Sequence, residues 1–185
     1  MNEQWKQELE FTSKITKEKV FPVLNQWGLG GRGKVEDVEG QKFEHRIIKI
    51  LDNFAGIDAL EVDPDKGIRG ISIRCQWITN RVFNSFTVRY ERANGARTEF
   101  DKRLLQMISS GGWMYPALTV QAYFKKVDGV KTNQLLTVGL ADTRDIYETV
   151  VDHGTYYTTQ DKNVYRSIEW AKMKELGYSV RTYGC

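Results

Sequence analysis

Between Phe43 and Trp77 the apolar residues change period, and that change dictates a helix feeding a β-hairpin. Phe43, Ile47, Ile50, Leu51 and Phe54 recur at helical spacings, which lays one helix face on a core. From Ile57 the period drops to two, with Asp58, Leu60 and Val62 on one side. Asp63-Pro64-Asp65-Lys66-Gly67 is a turn sequence. Beyond it Ile71, Ile73, Cys75 and Trp77 share one face of a strand, and Ser72, Arg74 and Gln76 share the other. Glu44 flanks the apolar stripe of the helix, within reach of Ile47, Ile48 and Leu51. A helix carboxylate, an Asp entering a strand and a polar row on the partner strand form the donor set of a divalent-metal phosphodiesterase site. Taken singly, Glu44 reads better as a solvated helix residue and Asp58 as a turn residue at a strand start; it is their ordered combination with the Cys75 strand that points to a metal site.

Around this stretch the chain reads as helix and strand in alternation. Residues 3–26 form one or two helices anchored by Trp5, Leu9, Val20, Phe21 and Leu24, with Pro22 starting or interrupting one. Gly28 to Lys34 matches two phosphate-loop patterns, but a helix precedes it and acidic KVEDVEG follows. A connector is therefore expected there. Strands are expected at Ser85–Glu91, around Leu118–Phe124, at Leu135–Ala141 and at the YSVRTY terminus. Helices are expected around Phe100–Ile108, after an Asp142 or Thr143 cap, and across Val164, Ile168, Ala171 and Met173. Residues 154–162 read as a loop. The order predicts one α/β domain with a mixed central sheet flanked by helices. Residues 1–40 supply a helical segment with a Gly-rich connector, and 41–185 the core.

The 185 residues suffice for a core without staples, and 41% apolar with 12% aromatic content excludes a disordered chain. A net charge of +3 permits a polyanionic partner without requiring one. Cys75 and Cys185 form neither a disulfide framework nor a metal motif, which fits a reducing cytoplasm. No apolar run approaches the roughly 20 residues of a membrane span, and MNEQWKQELE lacks the features of a signal peptide. Neither a nucleophile elbow nor an HExxH is present, so acyl transfer and zinc proteolysis have no support. His45 and His153 read as helix-surface residues.

Phe43-Glu44 before an apolar helix, then Gly56-Ile57-Asp58, then Ile73-Arg74-Cys75-Gln76, resembles the restriction-endonuclease-like PD-(D/E)XK superfamily, and its Mrr-like branch most. The resemblance covers about a fifth of the chain. It implies a restriction-endonuclease-like fold and a DNA-directed, divalent-metal-dependent endonuclease, with Asp58 and Glu44 holding Mg²⁺ or Mn²⁺. Arg74 stands where the family has Glu or Gln, and Gln76 where it has Lys; both belong to the implied catalytic set. The alternative is a nuclease fold without cleavage that binds DNA or another protein. On a regular hairpin Arg74 is expected beside Asp58, either paired with it or gripping a phosphate.

For nucleic-acid contact the candidates are Arg32 and Lys34 in the Gly-rich connector and Arg89, Arg92, Lys102 and Arg103 in the basic stretch. Phe83, Phe86, Tyr90 and Phe100 interleave with the latter, which suits phosphate contact and base stacking. A half-buried strand and helix with charged outer faces gives the same pattern. DNA is the expected partner, no membrane is expected, and a homodimer or a protein partner stays open.

Overall fold

Alternation along Gly67–Ile78 builds the strand on which the fold is centred, here called β3. In the computed structural model, which describes residues 3–29, 34–38, 51, 55–63, 67–109 and 115–184, β3 runs antiparallel to β2 (Ala59–Asp63). On its other side it runs parallel to β5 (Leu118–Val127), in register from Ile71↔Leu118 to Ile78↔Lys125. A parallel neighbour demands a crossover. It is made by β4 (Ser85–Glu91) and helix α3 (Glu99–Ile108), whose start is closed by a Thr98–Asp101 capping box. β5 turns tightly into β6 (Val130–Asp142) through Asp128 and Gly129, both at positive φ, as a two-residue hairpin requires. With β1 (Lys34–Asp37) and β9 (Val180–Tyr183) the mixed sheet has the order β1-β2-β3-β5-β6-β9.

Lateral pairing sorts the two faces of this sheet. Ala59, Ile71, Leu118, Val120, Ala122, Phe124, Val138 and Leu140 share one face and one core with Ile15, Val20, Val23 and Leu24. Those four come from α1 (Glu3–Ile15), a π-helical turn (Thr16–Val20) and α2 (Phe21–Gln26), which Pro22 initiates. The N-terminal helices therefore share the core of the sheet. The other face meets β4, α3, α4 (Thr143–His153, capped by Asp142) and α5 (Trp170–Glu175), with Phe86, Ile146, Tyr147, Ile168 and Trp170 as its apolar centre. The result is a single mixed α/β domain with a mixed central sheet and flanking helices. Among the described residues no helix is long and apolar enough to cross a membrane.

Several expectations change here. Ser85–Glu91 is a strand but leaves the main sheet, joining β8 (Val164–Glu169) and β7 (Thr155–Thr158) in a second sheet of order β4-β8-β7. The expected loop at 154–162 thus contains a strand, and the expected last helix is strand up to Glu169. Leu9 is exposed and lies outside the core, and Val62 is exposed while Glu61 beside it is buried. Gly28 takes positive φ just past α2, with Leu29 N–H donating to the Leu24 carbonyl (3.3 Å), a helix C-cap. A strand follows at Lys34, so the glycine-rich stretch lacks the helix start that a phosphate loop needs. Glu44, His45, Arg32, most of the expected Phe43–Phe54 helix and the side chains of Trp5 and Lys34 lie outside the described residues.

Candidate functional site

Asp58 lies just before β2, after Gly56 at positive φ (64°), and its side chain is exposed. Its backbone N–H donates to the Ile71 carbonyl at 2.9 Å, and its Oδ2 accepts from the Ile73 N–H at 2.6 Å. β2 begins at Ala59, so the carboxylate serves a β3 amide that lies past the last β2–β3 pair, Ala59↔Ile71. Behind Asp58, Ile57 packs with Leu51, Ala55 and Leu60 in a small core. Arg103 seals this corner from below. It is buried, and its Nη1 donates to the Ala55 carbonyl (2.5 Å) and to Gln106 Oε1 (2.8 Å). The positive φ favours glycine at 56, and a Cβ there would sit 2.6 Å from Arg103 Nη2, so the guanidinium would have to shift.

The expected Arg74–Asp58 pair does not form. Arg74 Nη1 pairs with Glu99 Oε2 in the first turn of α3, and the guanidinium lies 5.6 Å from the Phe86 ring centre. Burial works most strongly against the charge on Arg74, but Glu99 together with Tyr147 and Tyr123 outweighs it, and the guanidinium is held charged, above its ordinary range. The physical reason is the crossover, which brings the acidic first turn of α3 over this face of β3. Gln76 stands on the same face, beside Tyr123 in the β3–β5 register. Between them and β6 lies Gln121, fully buried. Its Nε2 reaches the Arg74 carbonyl at 3.5 Å, while its Oε1 and Arg74 Nε have no hydrogen-bond partner among the described residues.

Cys75, on the opposite face, shares a 3.5 Å hydrogen bond with Thr16. Burial pushes its thiol up to about 11, the Thr16 bond lowers it, and the Asp58 carboxylate adds to the rise. Asp58 is therefore coupled to the Cys75 thiol. Glu61 faces away from Asp58 along β2, as regular alternation requires, and is buried against Arg69, its cross-strand partner (Nε–Oε2 2.7 Å). Among the described residues no group of three or more His, Cys, Asp or Glu is gathered for a metal. Asp58 offers one carboxylate, and Glu44 lies outside the described residues.

The basic candidates separate. Arg92, Arg97 and Lys102 are exposed, and Arg89 is half-buried. Arg103 is withdrawn from any phosphate-binding face, because its guanidinium holds the Ala55 and Gly56 carbonyls. Among the interleaved aromatics Phe86 and Phe100 are buried in the second core, and Tyr90 packs edge-on to Phe100 at 5.0 Å, so these three are structural. Phe83 remains exposed, with Arg81 over its ring. His153 is exposed at the end of α4.

Residues that the sequence did not single out complete the picture. Glu99 neutralises Arg74, and Tyr157 and Tyr165 stack on the second sheet with centroids 5.4 Å apart and planes 9° apart. A Thr/Tyr-rich segment such as Gly154–Thr159 carries a strand signal in its β-branched and aromatic content, which is the trace that marks β7. Comparison with known proteins finds no matching family model, no matching curated protein and no matching solved structure.

Proposed function

We propose that this chain acts on DNA as a restriction-endonuclease-like phosphodiesterase, with Mg²⁺ or Mn²⁺ held by Asp58 and Glu44. The observation that carries the reading is the Arg74–Glu99 pair: the guanidinium expected to compete for Asp58 is engaged by a different carboxylate. A bound divalent cation would activate a water and neutralise charge on the phosphorane. Asp58 itself is oriented by the Ile73 amide, and in this reading Gln76 contributes hydrogen bonding without charge. Arg89, Arg92 and Lys102 contact the DNA backbone, and Arg32 and Lys34 extend that contact. A reducing cytoplasm is the setting.

The test is nicking or cleavage of supercoiled, linear, single-stranded and branched DNA with either metal, comparing wild type with Asp58→Asn. Metal-dependent cutting lost in the variant supports the reading; wild-type protein that leaves all four substrates intact overturns it. Neutralising Arg89, Arg92 and Lys102 together lowers the slope of binding against salt by roughly one unit per lost phosphate contact.

A second reading is favoured by one observation: the Arg74 guanidinium lies over the Phe86 ring with its Nε buried, so the residue at the family's acidic position serves packing. On that reading the chain is a nuclease-fold module that binds DNA or another protein without cutting. Calorimetric titration with Mn²⁺ separates the two. Binding weakened by Asp58→Asn belongs to the enzyme, and DNA binding indifferent to metal belongs to the module.

A further inference from the structure

The second sheet carries a stacked column of which the phosphodiesterase reading uses Arg89 alone. Arg89 on β4, Tyr165 on β8 and Tyr157 on β7 are direct cross-strand neighbours in one row. The Arg89 guanidinium lies 5.4 Å from the Tyr165 ring centre and donates through Nε and Nη2 to the Tyr165 hydroxyl at 3.1 and 2.9 Å. Tyr165 in turn is stacked on Tyr157. The next row along, Thr87, Ser167 and Thr155, is all hydroxyl. A row of this kind on an ordinary solvent face would be charged and mobile; this one is aromatic, pre-stacked and held by hydrogen bonds.

The column ends at the sheet edge. β7 is the outer strand of the order β4-β8-β7, and Tyr157 is 45% exposed there with its hydroxyl bonded back to Thr87, so its ring is held in place and partly open to solvent at the edge. Exposed cations flank the row. The turn after β4 carries Arg92 and is tied to the turn before β8 by Ala93 N–H donating to Asn163 Oδ1, next to exposed Lys162. Arg81 lies before the start of β4. Glu91 and Asp161 share these turns, so the cations there only partly favour a polyanion, and the ring column supplies the selectivity.

We infer that this face binds single-stranded DNA, with an unpaired base stacking on Tyr157 and the adjoining phosphates drawn to Arg89 and Arg92. An aromatic ring open on one face, continuous with a guanidinium, is the chemistry that recognises a base and its phosphate. A duplex cannot use it, because its bases are already stacked inside. The inference rests on the DNA-acting reading and deepens it: the site at Asp58 would work beside an unpaired strand.

The experiment is fluorescence anisotropy of the full chain with labelled oligothymidine, the matching duplex and oligouridine, for wild type, Tyr157→Ala and Tyr157→Phe. Tyr157→Ala is expected to weaken oligothymidine binding about tenfold, more than it weakens duplex binding, while Tyr157→Phe keeps the ring and the affinity. Equal oligothymidine affinity in wild type and Tyr157→Ala overturns the inference. So does a Phe variant as weak as the Ala variant, since the ring would then not be what binds, and so does a preference for oligouridine. Wild type that binds duplex but no single strand overturns it while the DNA reading stands. Wild type that binds no nucleic acid removes both.

Discussion

The two faces of the six-stranded sheet are built on different chemistry. Toward the N-terminal helices β3 and β5 present Ile71, Ile73, Cys75 and Trp77 beside Leu118, Val120, Ala122 and Phe124. Toward the second sheet the same strands present Ser72, Arg74 and Gln76 beside Thr119, Gln121 and Tyr123. The first face is closed by non-directional burial, and apolar helices of about the right shape satisfy it. The second adds to its apolar cluster a set of directional bonds at the sheet surface: Tyr123 hydroxyl to the Ser85 carbonyl (3.1 Å), Thr119 to Thr143 (2.8 Å), Thr137 to the Phe83 carbonyl (2.9 Å) and Arg74 to Glu99. Polar groups buried in this way specify where β4 and the helices sit more than how strongly they are held.

The adjacent residues Tyr123 and Phe124 point to opposite faces and break that comparison most sharply. Phe124 is fully buried and stacks on Trp77 at 5.3 Å. Phe124→Ala should cost about 4 kcal/mol, through lost transfer energy and a cavity. Tyr123→Phe keeps the ring and loses one hydroxyl, and should cost about 1 kcal/mol. Urea unfolding measures both. Equal losses would mean that the polar face is held as tightly as the apolar one.

Next in size is the ion pair. Glu99→Ala leaves the partly buried Arg74 guanidinium without its partner. A fully buried pair would lose ~3–5 kcal/mol. The Glu99 side chain is 40% exposed, so water compensates in part and about 2 kcal/mol is expected. Arg74→Met together with Glu99→Ala should recover most of that loss, because both charges go and Met fills the space beside Phe86. A double variant no more stable than Glu99→Ala would show that Arg74 acts through its shape and not its charge.

The same contrast explains what could be read from the sequence. β3 was legible because from Ile71 to Trp77 its apolar face meets an apolar core, so its alternation there is unbroken. β8 was not, because Arg166 occupies an inward position. Its guanidinium lies 3.9 Å from the Tyr156 ring centre and donates to the Val150 and Val151 carbonyls at the end of α4. A buried cation in mid-strand disguises period two, and the remaining Val164–Ile168 spacing imitates a helix. β7 is exposed throughout, so no alternation of burial marks it. At the candidate site Asp58 and its hairpin were legible from local pattern. The partner of Arg74 was not, since Glu99 lies 25 residues further on and only the crossover brings it near.

An alkaline titration addresses one group on each side. Burial raises the folded-state Cys75 thiol from 9.0 to about 11, and burial with Glu99 raises Tyr147 from 10.0 to about 12. A group whose folded pKa lies above its unfolded value stabilises fully below the unfolded value, and that stability is lost as pH rises through the folded one. The Cys75 contribution therefore starts to fade near pH 9 and the Tyr147 contribution near pH 10. Half-buried Cys75 should account for on the order of 1 kcal/mol by pH 9.5. Cys75→Ala should flatten the lower part of the decline and Tyr147→Phe the upper part. One shared transition in both variants would mean that the two faces open together.

The smallest expected effect links the candidate site to the apolar face. The Asp58 carboxylate raises the Cys75 thiol, after burial and the Thr16 bond, so its charge reaches that side of β3. Asp58→Asn keeps an oxygen to accept the Ile73 N–H but removes the charge, so the hairpin should hold while the thiol ionises more easily. Only the thiolate alkylates. With Cys185 replaced by Ser to leave one thiol, iodoacetamide at mildly alkaline pH should therefore modify Cys75 faster in the variant. The gain should be on the order of twofold, since an exposed carboxylate acts through water. Added salt should shrink the difference between the two proteins, because the coupling is a field and not a contact. A variant that alkylates at the wild-type rate would place Asp58 beyond electrical reach of Cys75. A rate increase that persists at high salt would instead mean that the β2–β3 corner had loosened and exposed the thiol, which an accompanying fall in urea midpoint would reveal.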